Sequence, residues 1–240
     1  MKAGGTLIIS DIHTRYEVIN AQIRHAQETL GHQVERVFVL GDFGFFRQEL
    51  EDWFREGERC FDRPVFCIEG NHEDHAELEE LVRDFSDILT HQPRASCLDL
   101  GPWKGLCLGG ARYMDAASTP RGCEISDADI ERCLAHAPEN VDLVLTHDCP
   151  SHIGVPQTAG LEHYGPTGMP RLRDLAVHFQ PRWWFFGHHH RWFVKELEGT
   201  LFIGLPRSWF GYVLLVGSAD PVTVNHRVEV ENRPWWRRLF

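Results

Sequence analysis

Five short apolar runs in this chain each break off into residues that bind metals. LIIS leads into Asp11-Ile12-His13, VFVL into Gly41-Asp42, and VFCIE into Gly70-Asn71-His72-Glu73. DLVLT leads into His147-Asp148, and WWFF into Gly187-His188-His189-His190. Apolar runs this short, bounded by Gly and polar residues, read as buried strands. In open α/β sheets the ligands bind just beyond the carboxyl ends of the strands. Five ligand-bearing turns would therefore meet along one edge. Taken singly the pieces are weak: Asp-x-His arises often by chance, and a lone histidine is usually a surface or core residue. Gly-Asn-His-Glu and Gly-His-x-His are more specific, and the five together, all at the same structural position, are not a coincidence of composition.

The rest of the chain supplies the layers such an edge needs. Strands are expected at Thr6–Ser10, Arg36–Leu40, Pro64–Ile68, Val141–Thr146 and Arg182–Phe186. Helices are expected at Tyr16–Leu30, Gln48–Cys60, Asp74–Phe85 and Ser126–Ala137, the last opening on an acidic first turn. This alternation predicts parallel strands covered by helices. Ser96–Leu100 and Lys104–Gly109 read as a strand pair. After residue 190 come Trp192–Leu197, Thr200–Gly204, Tyr212–Val216 and Val222–Val230. The order fits an α/β fold with two layers of mixed sheet and helices outside. At 240 residues a single domain is ordinary. We place it at 1–230, followed by an aromatic and basic tail at 231–240. That tail, NRPWWRRLF from Asn232 on, reads as a segment that folds back or frays, or as an interfacial or partner contact.

Composition narrows the partners. The net charge is -11, so a long basic groove for duplex nucleic acid is not expected. Bound cations would invert that field locally, which leaves nucleotides and short strands open. Seven cysteines, without a C-x-x-C pair, read as reduced thiols in a cytoplasmic protein. No apolar run is long enough to span a bilayer, and the N-terminus lacks a signal-peptide core.

The series Asp11-x-His13, Gly41-Asp42, Gly70-Asn71-His72-Glu73, His147 and Gly187-His188-x-His190 resembles the motifs of the calcineurin-like metallophosphoesterases, and it spans residues 11 to 190. The resemblance implies a four-layer α/β/β/α sandwich with two mixed sheets flanked by helices and two divalent metal ions between them. It implies that Asp11, His13, Asp42 and His190 hold the first ion, and that Asp42, Asn71, His147 and His188 hold the second, with Asp42 bridging. His72 would be the catalytic histidine beside the leaving group. Chemically, two cations about 3.5–4 Å apart can clamp a phosphoryl oxygen and share a hydroxide that attacks in line. A set of His, Asp and Asn without thiolates suits Mn, Fe, Zn, Co or Ni. His72 would donate a proton, or stabilise charge, on the leaving oxygen. Glu73 or Asp148 would orient a histidine or simply close a turn.

Departures from known branches guide the substrate. Protein serine/threonine phosphatases and diadenosine-tetraphosphate hydrolases carry Gly-Asp-x-x-Asp-Arg-Gly and Arg-Gly-Asn-His-Glu. Here Phe43-Gly44-Phe45-Phe46-Arg47 follows Asp42, and Glu69 precedes Gly70. Lipid A pathway hydrolases have Arg where His72 stands. Gly41-Asp42-Phe43, Gly70-Asn71-His72-Glu73 and His147-Asp148-Cys149-Pro150 are similar to the lariat-debranching nucleases, although His13 stands where those carry Cys. The expected substrate is thus a phosphodiester of a nucleotide or short single-stranded nucleic acid. A phosphomonoester or pyrophosphate is the alternative, and a non-catalytic scaffold is disfavoured because every expected ligand is present. The loops 110–124 and 149–170 are expected to shape the pocket. Arg112 and Arg121 are candidate phosphate contacts, with Arg15 a third. Phe43, Phe45 and Phe46 read as core residues or base-stacking platforms.

Overall fold

The computed structural model describes residues 4–115, 119 and 121–230. The aromatic tail at 231–240 lies outside the described residues.

Among the described residues twelve strands form two sheets of six. The first sheet contains β1 (Gly5–Ile9), β2 (Val34–Leu40), β3 (Val65–Ile68), β4 (Leu89–His91), β11 (Gly211–Val216) and β12 (Val222–Asn225), in the order β12-β11-β1-β2-β3-β4. The second contains β5 (Ser96–Leu100), β6 (Trp103–Leu108), β7 (Leu143–Thr146), β8 (Trp183–Phe186), β9 (Phe193–Leu197) and β10 (Thr200–Gly204), in the order β5-β6-β7-β8-β10-β9. The pairs β1–β2, β2–β3 and β3–β4 are parallel, as are β6–β7, β7–β8 and β8–β10. Antiparallel strands close the sheets at β11–β12, at β5 and at β9.

The two-residue period of a strand sends alternate side chains to opposite faces, and here both faces are apolar. Ile8, Phe38, Leu40, Leu143, Leu145, Trp183 and Phe185 pack together in the layer between the sheets. Leu7, Ile9, Val37 and Val39 point the other way, under α1 (Glu17–Arg24), α2 (Arg47–Leu50) and α3 (Leu78–Asp84). Val144, Trp184 and Phe186 pack under α4 (Asp127–Leu134) and α5 (Leu172–Phe179). The result is the expected four-layer α/β/β/α sandwich.

Several elements differ from their expected bounds. α1 covers half of Tyr16–Leu30 and continues as a wider π-type turn at His25–Thr29. α2 is one turn long, extended the same way over Glu51–Glu56. Asp74–Phe85 is helical only from Leu78, because Asp74 Oδ1 accepts from the Ala76 and Glu77 amides and holds a turn there. Ser126 caps α4 with a reciprocal Ser126–Asp129 pair, as its sequence suggested. Val222–Val230 pairs only as far as Asn225, where its partner β11 begins at Gly211. Five of the seven cysteines are buried; Cys60 and Cys97 are exposed, and all seven are free thiols. Among the described residues no helix is long and apolar enough to cross a membrane.

Candidate metal centre

The carboxyl ends of β1, β2, β3, β7 and β8 lie along one edge, and their turns bring the expected ligands together. Asp11, His13, Asp42 and His190 offer ligand atoms that all lie within 4.8 Å of one another. His190 Nε2 lies 3.1 Å from Asp11 Oδ1, and His13 Nε2 lies 3.3 Å from His190 Nε2 and 3.8 Å from Asp42 Oδ2. On the other side of Asp42, its Oδ1 stands 3.4 Å from His147 Nε2, which is 3.0 Å from Asn71 Oδ1. The His188 and His147 rings are 5.1 Å apart. Asp42 thus faces both groups, one through each carboxylate oxygen.

The donor set fits cations. His147 Nδ1 faces the Leu40 carbonyl at 2.7 Å, so it carries the proton there. Its Nε2 faces two oxygens, a grouping that needs a positive charge between them, supplied by a second proton on the ring or by a cation in its place. Asp42 Oδ2 is buried without a hydrogen-bond partner, an arrangement that costs free energy unless an ion supplies the missing contact. Burial pushes His13 and His188 down to about 3, leaving both neutral and able to ligate. Burial opposes ionisation of Asp11 and Asp42, but His190 beside the first and His147 beside the second outweigh it and hold both below the ordinary carboxylate range. His147 is raised: burial works against its charge, and Asp42 and Asp11 overcome that.

The backbone at these turns is strained. Asp11, His13, Asp42, His188 and His190 all have positive φ, between 48° and 63°. Non-glycine residues rarely occupy that region, and where they do so in a cluster the strain marks a functional site. Close approach needs glycine at position 70, where a Cβ would overlap Asp42 Oδ1 and the Asp42 amide.

Buried acids lock the turns. Glu73 accepts from the amides of Phe43 (2.9 Å), Gly44 (2.9 Å), Phe45 (2.7 Å) and Gly70 (3.3 Å). It is a turn carboxylate that fixes the loop after Asp42, not a partner of a ligand histidine. Asp148 does touch a histidine: its Oδ1 is 3.1 Å from His189 Nε2 and accepts from the Cys149 amide, while Oδ2 accepts from the Arg112 amide. Asp148, Cys149 and His189 form a second group of possible ligand atoms, but these hydrogen bonds already engage it. His72 sits at the rim, its ring 5.7 Å from that of His13, and its amide donates to Asp42 Oδ1 at 2.8 Å. Burial lowers the His72 pKa, so its neutral imidazole faces the site.

A cavity of about 260 Å³ opens from this cluster, lined at one end by Asn71, His72, His188 and His190. The loop 149–170 forms its far wall, as expected. The substrate arginines are placed less as foreseen. Arg112 is on the cavity, but its guanidinium donates to Tyr164 O and Pro166 O at 2.8 and 2.7 Å, which staples the loop. Arg121 is exposed and is not among the residues that line the cavity. Arg15 is buried, its Cζ 5.2 Å from the Trp209 ring. Phe43 and Phe45 are fully buried core residues.

Two features had no sequence signal. Trp209 reaches the site from the turn before β11, 6.4 Å from the His13 ring. Arg94 joins Glu69 (2.5 Å) and Asp129 (3.1 Å) to the carbonyls of Gly122, Cys123 and Glu124, tying the turn after β3 to the loop 110–124.

Comparison with known proteins agrees with this geometry. Solved structures share the fold at low identity. A protein of Thermus thermophilus has a TM-score of 0.62 at 13% identity, covering 94% of this chain and 99% of that one. A candidate 5′-nucleotidase of Staphylococcus aureus, in complex with alpha-ketoglutarate, has 0.59 at 14%, covering 98% and 58%. The phosphopantetheinyl hydrolase of Mycobacterium tuberculosis has 0.52 at 16%, covering 87% and 92%. No curated protein matches. The calcineurin-like phosphoesterase family model matches residues 6–192, which contain every ligand-bearing turn described above. With that span and this edge of histidines and carboxylates, the chain belongs to the calcineurin-like phosphoesterases.

Proposed function

We propose that this protein is a two-metal phosphodiesterase acting on a nucleotide or a short single-stranded nucleic acid. The observation that carries the reading is Asp42, whose two oxygens face two groups of histidine, aspartate and asparagine ligands. Asp11, His13, Asp42 and His190 would hold one divalent ion, and Asp42, Asn71, His147 and His188 the other. Bound there, such ions draw charge from the phosphoryl oxygens and acidify a water near neutral pH.

The chain's own residues do the rest. The strained turns and Glu73 hold the ligands in place before substrate arrives, so little reorganisation accompanies the reaction. His72, neutral through burial, directs an N–H toward the charge that develops on the leaving oxygen. The net charge of -11 favours a small substrate over a long polyanion.

The test is hydrolysis of bis-p-nitrophenyl phosphate beside p-nitrophenyl phosphate by metal-stripped protein resupplied with Mn²⁺. A diester preference supports the proposal. A monoester preference moves the assignment to a phosphomonoesterase with the same machinery. Inactivity on both across several metals, with ions bound, would point to a scaffold.

A further inference from the structure

The cavity beside the candidate centre has a chemical character that bears on the leaving group. Beyond His72 its wall includes Met114, Leu161, Tyr164 and Pro166, interleaved with the neutral polar side chains of Gln157, Thr158 and Thr167. Arg112 is the one Lys or Arg among the described residues lining it, and both arms of its guanidinium are engaged by the Tyr164 and Pro166 carbonyls. Arg191 is not on the wall; it donates to His189 O at 3.2 Å and Thr158 Oγ1 at 3.4 Å. Asp148, in contrast, contributes a carboxylate to the lining.

A phosphate placed in this cavity would meet a carboxylate and no disengaged guanidinium, and an unpaired anion is costly to desolvate. An uncharged group would meet a thioether, a leucine and a tyrosine ring, with an amide and two hydroxyls for neutral hydrogen bonds, the kind of wall that binds small organic groups. At about 260 Å³ the space suits one nucleoside-sized group. We propose that the cavity receives the leaving alcohol, and that this alcohol is uncharged. The protein would then select esters whose leaving group bears no further phosphate. The proposal rests on the phosphoesterase reading above. In the step itself, an oxygen from water bonds to phosphorus, the bond from phosphorus to the alcohol oxygen breaks, and the alcohol departs with a proton that the attacking water gives up, while the neutral His72 ring at the cavity mouth hydrogen-bonds to the leaving oxygen.

The experiment compares two substrates of the full chain with Mn²⁺. Thymidylyl-(3′→5′)-thymidine releases an uncharged nucleoside, whereas P1,P2-di(thymidine-5′) pyrophosphate releases thymidine monophosphate, intrinsically the better leaving group. The expected result is a kcat/KM at least about tenfold higher for the dinucleotide; a preference for the pyrophosphate overturns the proposal. Leu161→Arg, at a position 39% exposed and therefore tolerant of the change, should narrow the ratio by placing a free guanidinium on the wall, and an unchanged ratio counts against the assignment. If even bis-p-nitrophenyl phosphate is not turned over, the phosphoesterase reading fails separately. Calorimetric binding of thymidine then decides: binding weakened by Leu161→Arg supports an uncharged ligand here, and no binding to the wild-type chain overturns it.

Discussion

Replacing Glu73 by glutamine tests whether the loop that carries Asp42 is held by ionised charge. All four groups facing the Glu73 oxygens are backbone N–H donors, two on each oxygen. Burial and the neighbouring Asp42 charge outweigh the pull of the backbone donors and leave its pKa pushed up to about 8, so the carboxylate is fully ionised only above that pH or once cations are bound at Asp42. A carboxamide keeps one accepting oxygen and turns an NH₂ toward the other donors, so at least two buried N–H groups lose their partner. Each orphaned buried donor costs about 1–3 kcal/mol, which makes the expected loss roughly 2–6 kcal/mol, a large part of a typical domain's stability. The assay is urea unfolding of chelator-treated protein at pH 9, above that pKa, followed by tryptophan fluorescence, beside Mn²⁺ affinity of the same variant. Both should fall together, since Phe43, Gly44 and Phe45 follow Asp42 directly. A loss below about 1 kcal/mol with unchanged Mn²⁺ affinity would refute the reasoning and show that Glu73 is held as the neutral acid.

Other perturbations follow from the same geometry. Gly70→Ala drives a Cβ into Asp42 Oδ1, so metal content should drop in inductively coupled plasma measurements even where circular dichroism shows the fold intact; full metal content would argue against Asp42 as a shared ligand. His72→Ala should keep both ions and slow diester turnover by roughly 10²–10⁴, and loss of an ion would instead make His72 a ligand. Metal-free protein should lose stability as pH falls from about 6.5 to about 3. Burial depresses His13 and His188 across that window, so the unfolded chain binds more protons there. The lowered pKa values of Asp11 and Asp42 act in the same direction below the ordinary carboxylate range. A melting temperature that stays flat or rises on acidification would contradict this.

The candidate ligands were legible because strand and turn are short-range patterns. An apolar run followed by Asp-x-His or Gly-Asn-His names both the element and the side chains at its end. The short elements gave less. β4 has three residues, too few to establish a period. α5 went unrecognised after a loop rich in Pro and Gly, although Leu172, Leu175, Ala176 and Phe179 have helical spacing. Contacts between distant segments left no local trace. Arg112 reads as a phosphate ligand until the Tyr164 and Pro166 carbonyls are seen against it. The grip of Glu73 on residues 43–45, and of Arg94 on 122–124, depends on how loops from different strands meet, which residue type alone does not encode.

The most direct test of the account is titration of metal-stripped protein with Mn²⁺, reading bound metal and bis-p-nitrophenyl phosphate turnover on the same samples. The account predicts about two ions per chain, turnover that appears only on loading, and loss of both in Asp42→Asn. Turnover that persists after complete metal removal, or an Asp42→Asn protein that binds and hydrolyses as the wild type does, would contradict it.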